Sequence, residues 1–275
     1  MVRIKLAVRQ TKLIKLPGSD LIKQILEYVQ VERLRPQVKK AALKARKGEI
    51  ILIPADGVYN LSTNGTLPHA VETSRAIKQR TKAHREGMIT PPKKLLRYID
   101  LKTLKELNGI GFEVIDKLYK AGQIGLIIPC LEEVTPSHLI TYHEINGKQI
   151  PTVLNVWNYK CKIWQLLDKE FSKDPNMLWV GTSANISNNP SITDFATAIE
   201  TFGQMVSAAI KDPREHRHIY TGSYTVINLA KKIPEVHRIG SIDPNKHPEK
   251  FNKLVKVLAS SKINLVIPSD TKKTN

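Results

Sequence analysis

Residues 177–203 change character abruptly, and few folds can accommodate the change. A short apolar run, Met177 to Val180, has the length and composition of a buried strand. The chain then turns polar from Thr182-Ser183-Ala184-Asn185 through Ser187 to Pro190, and restarts as a helix. Thr193 or Asp194 can cap that helix, because either side-chain oxygen can accept an unpaired N–H of the first turn. Phe195, Ala198, Ile199 and Phe202 follow at helical spacing, and Gly203 marks a stop. A strand that ends in hydroxyl and amide side chains before a helix calls for a sheet with helices packed on it. At such strand ends a crevice opens where backbone amides and short polar groups can meet a ligand. Taken alone, the loop also reads as a polar connection whose Asn and Ser residues satisfy turns.

The rest of the chain alternates in the same way. In residues 1–19, which contain no acid, Val2, Ile4, Leu6 and Val8 alternate with Arg3, Lys5 and Arg9. This is strand period; an organellar transit peptide is also acid-poor and basic, but its Ser and Ala richness is missing here. Ser19-Asp20 caps a helix carrying Leu21, Ile22, Ile25, Leu26 and Val29, and a second helix runs from Pro36 to Arg46 and stops at Gly48. Further helices are expected over 68–79, 159–171 and 246–259, with strands at 206–210 and 224–229. The apolar runs at 49–54, 124–129, 150–157 and 177–181 are expected to lie in one sheet. The loop from Cys130 to Gly147 has room for a hairpin, and the tail after Ser269 reads as disordered.

Composition narrows the function classes. A chain of 275 residues can bury one large core, and no internal repeat or second domain is visible. No apolar run approaches the roughly 20 residues that cross a bilayer, so no membrane association is expected. Cys130 and Cys161 lack CxxC or Cys/His ligand spacing, which points to reduced thiols in a cytoplasmic protein and to no metal site. The net charge of +18 implies a polyanionic partner (RNA, DNA, or a nucleotide together with RNA) or else a solvated lysine-rich surface. The cations gather at Lys39-Lys40, Lys44 to Lys47, Lys78 to Arg85 and Lys93-Lys94, a broad face rather than a tail. Neither a P-loop nor a G-x-G-x-x-G stretch is present. No catalytic triad spacing is present either, and His84, His138 and His143 read as surface residues.

Four segments carry a family resemblance. Thr182-Ser-Ala-Asn-Ile-Ser187, Pro190 and Thr193-Asp-Phe195 resemble the T-S-A-N-x-S…P…T-x-F segment of the YrdC-like threonylcarbamoyl-adenylate synthases. Pro54, Asp56, Val58, Tyr59 and Leu61, then Lys78 and Arg80, match that family's P-T-[DE]-T-V-Y-G-L strand and K-x-R helix end. Gly122 to Pro129 is similar to its G-P-L-T-L-V-L-P strand, and Tyr224 to Leu229 with His237-Arg-Ile-Gly240 to its S-T-V-V-D-L…R-x-G ending. The matches keep the family's order over residues 45–240.

The resemblance implies a single YrdC-like α/β domain at 36–260, a twisted mixed β-sheet flanked by helices with a basic concave cleft. Residues 1–35 would be an N-terminal extension and 261–275 a C-terminal tail. It also implies synthesis of L-threonylcarbamoyladenylate and pyrophosphate from L-threonine, bicarbonate and ATP, with Mg2+ assisting. The product feeds the modification of an adenosine in tRNA, so tRNA or other RNA and threonylcarbamoyl-transferase proteins are implied partners. Carried over residue by residue, Lys78 and Arg80 are the implied catalytic cations. Together with Thr182, Ser183 and Asn185 they form the implied nucleotide site, and Asp56, Tyr59 and Thr225 are implied substrate contacts. As cations at a helix end, Lys78 and Arg80 should add only about 0.3–1 kcal/mol to stability.

The chain departs from the family pattern at Ala55 and Gly57, where the family has threonines, and at Asn60, where it has glycine. Val156 stands where its arginine falls, Tyr224 for its serine and Asn228 for its aspartate. The nucleotide half is thus better kept than the threonine half. Three readings follow: an active synthase, a non-catalytic YrdC-like module binding RNA or a nucleotide, and an ATP-dependent enzyme with a different acceptor.

Overall fold

A computed structural model describes residues 29–80, 86–219, 221–269 and 272–273. The strand expected at 2–8 and most of the helix expected after Ser19 lie outside the described residues, as do 81–85 of the basic cluster with His84. Where description begins, helix α1 (Arg35–Arg46) has Pro36 in its first turn, where a missing N–H costs nothing. It buries Val38, Ala41, Ala42 and Ala45, a stripe spaced 3, 1 and 3 that one helix face requires. Gly48, at φ +83°, releases the chain into strand β1 (Ile51–Pro54). Asp56 and Gly57, both at positive φ, then reverse it into β2 (Tyr59–Asn64), the Ala55 N–H bonding Val58 O at 2.7 Å. This is an Asp-Gly hairpin turn, whose twist matches that of the flanking strands.

Helix α2 (Pro68–Ile77) leads to the site and β3 (Gly87–Ile89) follows; α3 (Pro92–Leu95), α4 (Leu101–Asn108) and α5 (Phe112–Ala121) intervene before β4 (Ile124–Pro129). The expected hairpin is present: β5 (Thr141–Ile145) and β6 (Lys148–Trp157) pair around Asn146-Gly147, both at positive φ. After α6 (Lys162–Phe171) come β7 (Trp179–Ser183) and α7 (Phe195–Phe202). Of the two candidate caps Asp194 is the one used, accepting the Thr197 N–H at 2.8 Å. The chain continues through β8 (Ala208–Ala209), β9 (Thr225–Asn228), β10 (Glu235–Ile239) and α8 (Pro248–Ala259). Lys272–Lys273 form β11, parallel to β10, a correction to the expectation of a disordered tail. The strand expected at 206–210 shortens to Ala208–Ala209 on a sheet edge.

These strands form one mixed sheet in the order β11-β10-β9-β4-β6-β3-β7-β2-β1-β8, with β5 on β6. The four apolar runs expected to share a sheet do so. Every residue of β1, β4 and β9 is buried. Strand order puts segments remote in sequence side by side: β7 runs antiparallel to β2 with Ser183 opposite Asn60, and β3 lies between β7 and β6. The result is a single α/β domain with a mixed sheet flanked by helices. Behind the site, Trp164 contacts Trp157, Trp179 and Tyr224 at ring-centroid distances of 6.0, 5.5 and 5.9 Å.

Candidate nucleotide site

Where the N-terminal end of β2 meets the C-terminal end of β7, the sheet opens into a cavity of about 380 Å³. Its floor includes Gly181 for a steric reason. A Cβ there would lie 2.2 Å from Asn60 Oδ1 and 2.6 Å from Ser62 Oγ, so any other residue would push into the space. One wall is cationic and polar, with Arg80, Arg238, Thr182, Ser183 and Asn60. The other is apolar and aromatic, with Ala55, Val156, Trp164 and Tyr224.

Thr182, Ser183 and Asn185 converge with Lys78 and Arg80, across more than a hundred residues of sequence. After α2 the chain turns at Gln79, φ +54°, and Lys78 O accepts the Ser187 N–H at 3.0 Å. The Lys78 ammonium donates to Thr182 Oγ1 at 3.1 Å, to Asn185 Oδ1 at 3.0 Å and to Ser183 O. Ser183 Oγ donates to Asn185 Oδ1 at 2.9 Å, and Asn185 Nδ2 donates to Asn189 O at 2.8 Å and Ile186 O at 3.1 Å. Lys78 is fully buried and does not line the cavity, so its three donors are spent on holding the turn. Burial, and then the neighbouring Arg80, push its pKa well below the ordinary lysine value. The resemblance implied a cation facing the nucleotide; the structure buries Lys78 beneath the Thr182–Asn185 turn.

Arg80 is the residue of the pair that reaches the cavity. Its Nη1 donates to Thr182 Oγ1 at 2.7 Å, and its Nε is buried without a hydrogen-bond partner. Arg238 lines the same cavity; its Nη2 donates to Tyr224 O at 3.0 Å and its Nε is likewise buried and unpartnered. Burial and the charge of Arg80 lower the Arg238 pKa to about 10, and burial lowers that of Arg80. Glu86 opposes them from the interior, where burial raises its pKa and the charges of Lys78, Arg80 and Arg75 act the other way. Two partly desolvated guanidiniums with spare donors beside one cavity create a positive field that an anion would relieve.

Asp56, Tyr59 and Thr225 do not line this cavity, and internal partners already occupy their polar atoms. Asp56 Oδ2 accepts from Gln123 Nε2 at 2.7 Å and Asn158 Nδ2 at 3.0 Å, while Oδ1 faces Arg214 Nη2 at 3.3 Å and His218 Nδ1 at 3.2 Å. Tyr59 OH donates to Glu215 Oε2 at 2.5 Å and accepts the Asp212 N–H at 3.0 Å. Thr225 Oγ1 donates to Ile242 O at 2.8 Å and accepts the Gly240 N–H at 3.0 Å. All three fasten the segments that bound the cavity. Tyr224 OH and Trp164 Nε1 are also committed, to Ala55 O at 2.7 Å and Pro54 O at 3.0 Å, so the aromatic wall presents no free donor from either.

Sequence reasoning missed Arg238, although the His237-Arg-Ile-Gly240 stretch that carries it was recognisable. It also took two histidines for surface groups. His143, on β5, lines the cavity, and its half-buried imidazole has its pKa lowered by burial and then by Lys231. His138 Nε2 lies 2.8 Å from Gly65 O. Cys130 and Cys161 are buried free thiols; burial pushes Cys130 up to about 12. Among the described residues no group of three or more His, Cys, Asp and Glu could hold a metal ion, and no helix is long and apolar enough to cross a membrane.

A mixed-sheet α/β domain with a cationic cavity at the strand ends defines a class of anion-binding proteins, and comparison with known proteins narrows it. The sequence profile of the Sua5, YciO and YrdC family, which carries the description "Telomere recombination", matches residues 44–240, and the chain belongs to that family. A double variant of Sua5 from P. abyssi is 23% identical, with a TM-score of 0.58 over 75% of this chain and 54% of that one. Sua5 from P. abyssi complexed with L-threonine is 21% identical, with a TM-score of 0.57 over 84% and 59% of the two chains. E. coli YciO is 21% identical, with a TM-score of 0.53 over 76% and 93%. This chain therefore spans little more than half of the Sua5 structures' length but nearly all of YciO. At these identities the likeness establishes the fold. No curated protein matches the sequence.

Proposed function

We propose that this chain is an L-threonylcarbamoyladenylate synthase, joining L-threonine, bicarbonate and ATP with release of pyrophosphate. The observation that carries the reading is the pair of guanidiniums, Arg80 and Arg238, each with a buried unpartnered Nε, facing the Thr182–Asn185 turn across one cavity. Family membership supports a nucleotidyltransferase-like role.

The chemistry asks little acid–base work of the protein. Carboxylated threonine presents a carbamate oxygen that attacks the α-phosphate. The P–O bond to pyrophosphate breaks as the new one forms, and the leaving group takes the electron pair. The protein must bring two anions together and stabilise charge developing on the phosphates. In this reading Arg80 and Arg238 bind phosphate oxygens and Ser183 donates to them. Lys78 is a positioning residue that holds Thr182, Ser183 and Asn185 in place. Asp56, Tyr59 and Thr225 shape the threonine end through the loops they tie down. Among the described residues none that lines the cavity is acidic, so Mg2+ would arrive on the ATP phosphates rather than on protein carboxylates, and would supply further charge neutralisation. We place the activity in residues 36–260, with 1–35 as an extension and 261–275 as a tail, in a cytoplasmic protein that hands its product to a threonylcarbamoyl transferase acting on tRNA.

The committed hydroxyl and indole groups of the wall formed by Ala55, Val156, Trp164 and Tyr224 favour a second reading, a module that binds a nucleotide or RNA without synthesis. Pyrophosphate release measured with ATP, threonine and bicarbonate omitted in turn separates the two. Release that needs all three supports the synthase. ATP binding without release supports the module, and release indifferent to threonine means another acceptor.

A further inference from the structure

Strands β3 and β7 run from the first cavity to a second, of about 330 Å³, at their other ends: Gly87 and Ser183 line the first, Ile89 and Trp179 this one. Its volume suits a small organic ligand. One side of its rim is the chain after β3, with Lys93 and Lys94 on α3 and Arg97 and Tyr98 just beyond. The end of α6 and the turn after it form the other side. Lys94 is committed, to Asp168 Oδ1 at 2.6 Å and to Ser172 Oγ. Asp174 Oδ1 accepts the Asn176 N–H at 3.0 Å and so serves its own turn. Lys93 and Arg97 are exposed; Lys93 bears electrostatically on Asp116, and Arg97 Nη1 donates to Pro175 O at 3.4 Å. Three cations against the carboxylates of Asp168 and Asp174 leave the rim positive in balance. Further along α6, Glu170 feels the charges of Lys173, Lys39 and Arg46, so the basic surface continues onto α1.

The interior refines the choice of ligand. Phe171, Met177, Leu178 and Trp179 make it apolar and aromatic. Trp179 is 3% exposed, and its Nε1 is buried without a hydrogen-bond partner. An unpaired buried donor is costly, and an acceptor on a ligand would relieve it. At the rim the Arg97 guanidinium lies 5.7 Å from the centre of the Tyr98 ring, so two flat groups stand side by side there. A simple anion would use the rim cations and leave the interior empty. An aliphatic acid would fill the interior and leave the indole unpaired. A nucleobase with its phosphate satisfies all three features: charge for the cations, a ring face for Tyr98 and Arg97, and ring acceptors for the indole N–H.

We propose that the cavity between α3 and α6 binds one unstacked nucleotide, its phosphate on Lys93 and Arg97 and its base against Tyr98 and the wall of Trp179. A free nucleotide and an unpaired nucleotide of an RNA strand share this chemistry, and the basic surface leading to α1 gives a strand somewhere to continue. The site is separate from the cleft of Arg80 and Arg238 and does not rest on the synthase reading.

Anisotropy of a short labelled oligouridylate, titrated with the full chain at physiological salt, tests this. Lys93→Gln with Arg97→Gln, and separately Tyr98→Leu, should each weaken binding about tenfold. Both rim cations are exposed, so the double variant should keep the native melting temperature. Lys253→Gln with Lys256→Gln, which removes the same charge from α8, should bind as the native chain does, and so should Arg80→Ala. Equal losses in the two double variants would reduce the effect to diffuse charge and overturn the site. Unchanged binding by Tyr98→Leu would overturn the base contact, and loss in Arg80→Ala would put the RNA in the other cleft. Uridine monophosphate is the second arm. Displacement of the label by the monophosphate as readily as by unlabelled strand marks the free nucleotide as the ligand, and displacement by the strand alone marks RNA. If neither binds, the proposal fails. Pyrophosphate release should be unchanged in the Lys93 and Arg97 double variant, so failure here and failure of the synthase reading are distinguishable.

Discussion

Replacing Lys78 by alanine should unfold the protein more easily, not merely impair its chemistry. The ammonium makes three hydrogen bonds, and a bond to a charged group contributes about 1.5–3 kcal/mol. Their sum overstates the loss for two reasons. Burying the ammonium itself costs several kcal/mol, and two of the three oxygens keep another donor, Arg80 for Thr182 Oγ1 and Ser183 Oγ for Asn185 Oδ1. Loss of the packed stem adds back some of the difference, since truncating a fully buried long side chain leaves a cavity. The net destabilisation is about 3 kcal/mol, well above the about 0.3–1 kcal/mol of an exposed cation at a helix end. In a protein of this size that lowers the melting temperature by about 6–12 °C.

The measurement is thermal unfolding of Lys78→Ala and Lys78→Met beside Arg80→Ala, with pyrophosphate release followed on the same samples. Lys78→Met keeps the stem and loses only the hydrogen bonds, so it should fall between Lys78→Ala and the native chain. Arg80→Ala should melt near the native temperature while losing ATP chemistry. An unchanged melting temperature for Lys78→Ala, together with lost activity, would refute the assignment. It would mean that Lys78 faces the substrate and that Thr182–Asn185 is held by other contacts.

Arg80→Ala and Arg238→Ala should each lose about 2–4 kcal/mol of transition-state stabilisation, read as the ratio of kcat/KM for pyrophosphate release. Against the upward push of burial, His218, the Arg214 N–H and the Arg214 guanidinium hold the Asp212 carboxyl below its ordinary value. A carboxyl lowered in the folded state stabilises the fold above its unfolded pKa, and that contribution is lost as pH falls below 3.8 towards the folded value. Asp212→Asn should therefore be less stable than the native chain at neutral pH and lose less on acidification, as urea unfolding at a series of pH values would reveal. Binding of a labelled single-stranded RNA should weaken steeply with salt, as expected for a chain of net charge +18 that releases counterions. Anisotropy unchanged between low and physiological salt would give that charge another purpose.

What the sequence made legible was whatever depends on period and local chemistry. The apolar runs over 49–54, 124–129 and 177–181 could be assigned to a sheet because nearly continuous burial leaves no polar alternation to mislead, whereas 150–157 reads as a strand through its alternation. Asp194 could be named as a cap because one oxygen and one N–H suffice. Asp56-Gly57 shows where comparison displaced chemistry. Read against a family pattern, Gly57 was a threonine gone missing. As a dipeptide it is a strong hairpin signal, and φ of 56° and 103° at the two residues confirms that conformation. A β-branched threonine at the second position would be strained, so the glycine belongs to this chain's turn, and the lost hydroxyl follows from that geometry. The direction of a side chain was not legible. Lys78 and Arg80 are two residues apart just past a helix end, and nothing in their spacing says which turns inward. Gln79 at φ +54° decides it, by sending Lys78 under the Thr182–Asn185 turn and Arg80 along the cavity. Arg238 and His143 were hidden for another reason: their partners lie on strands that only the sheet order makes neighbours, and no local pattern encodes that order.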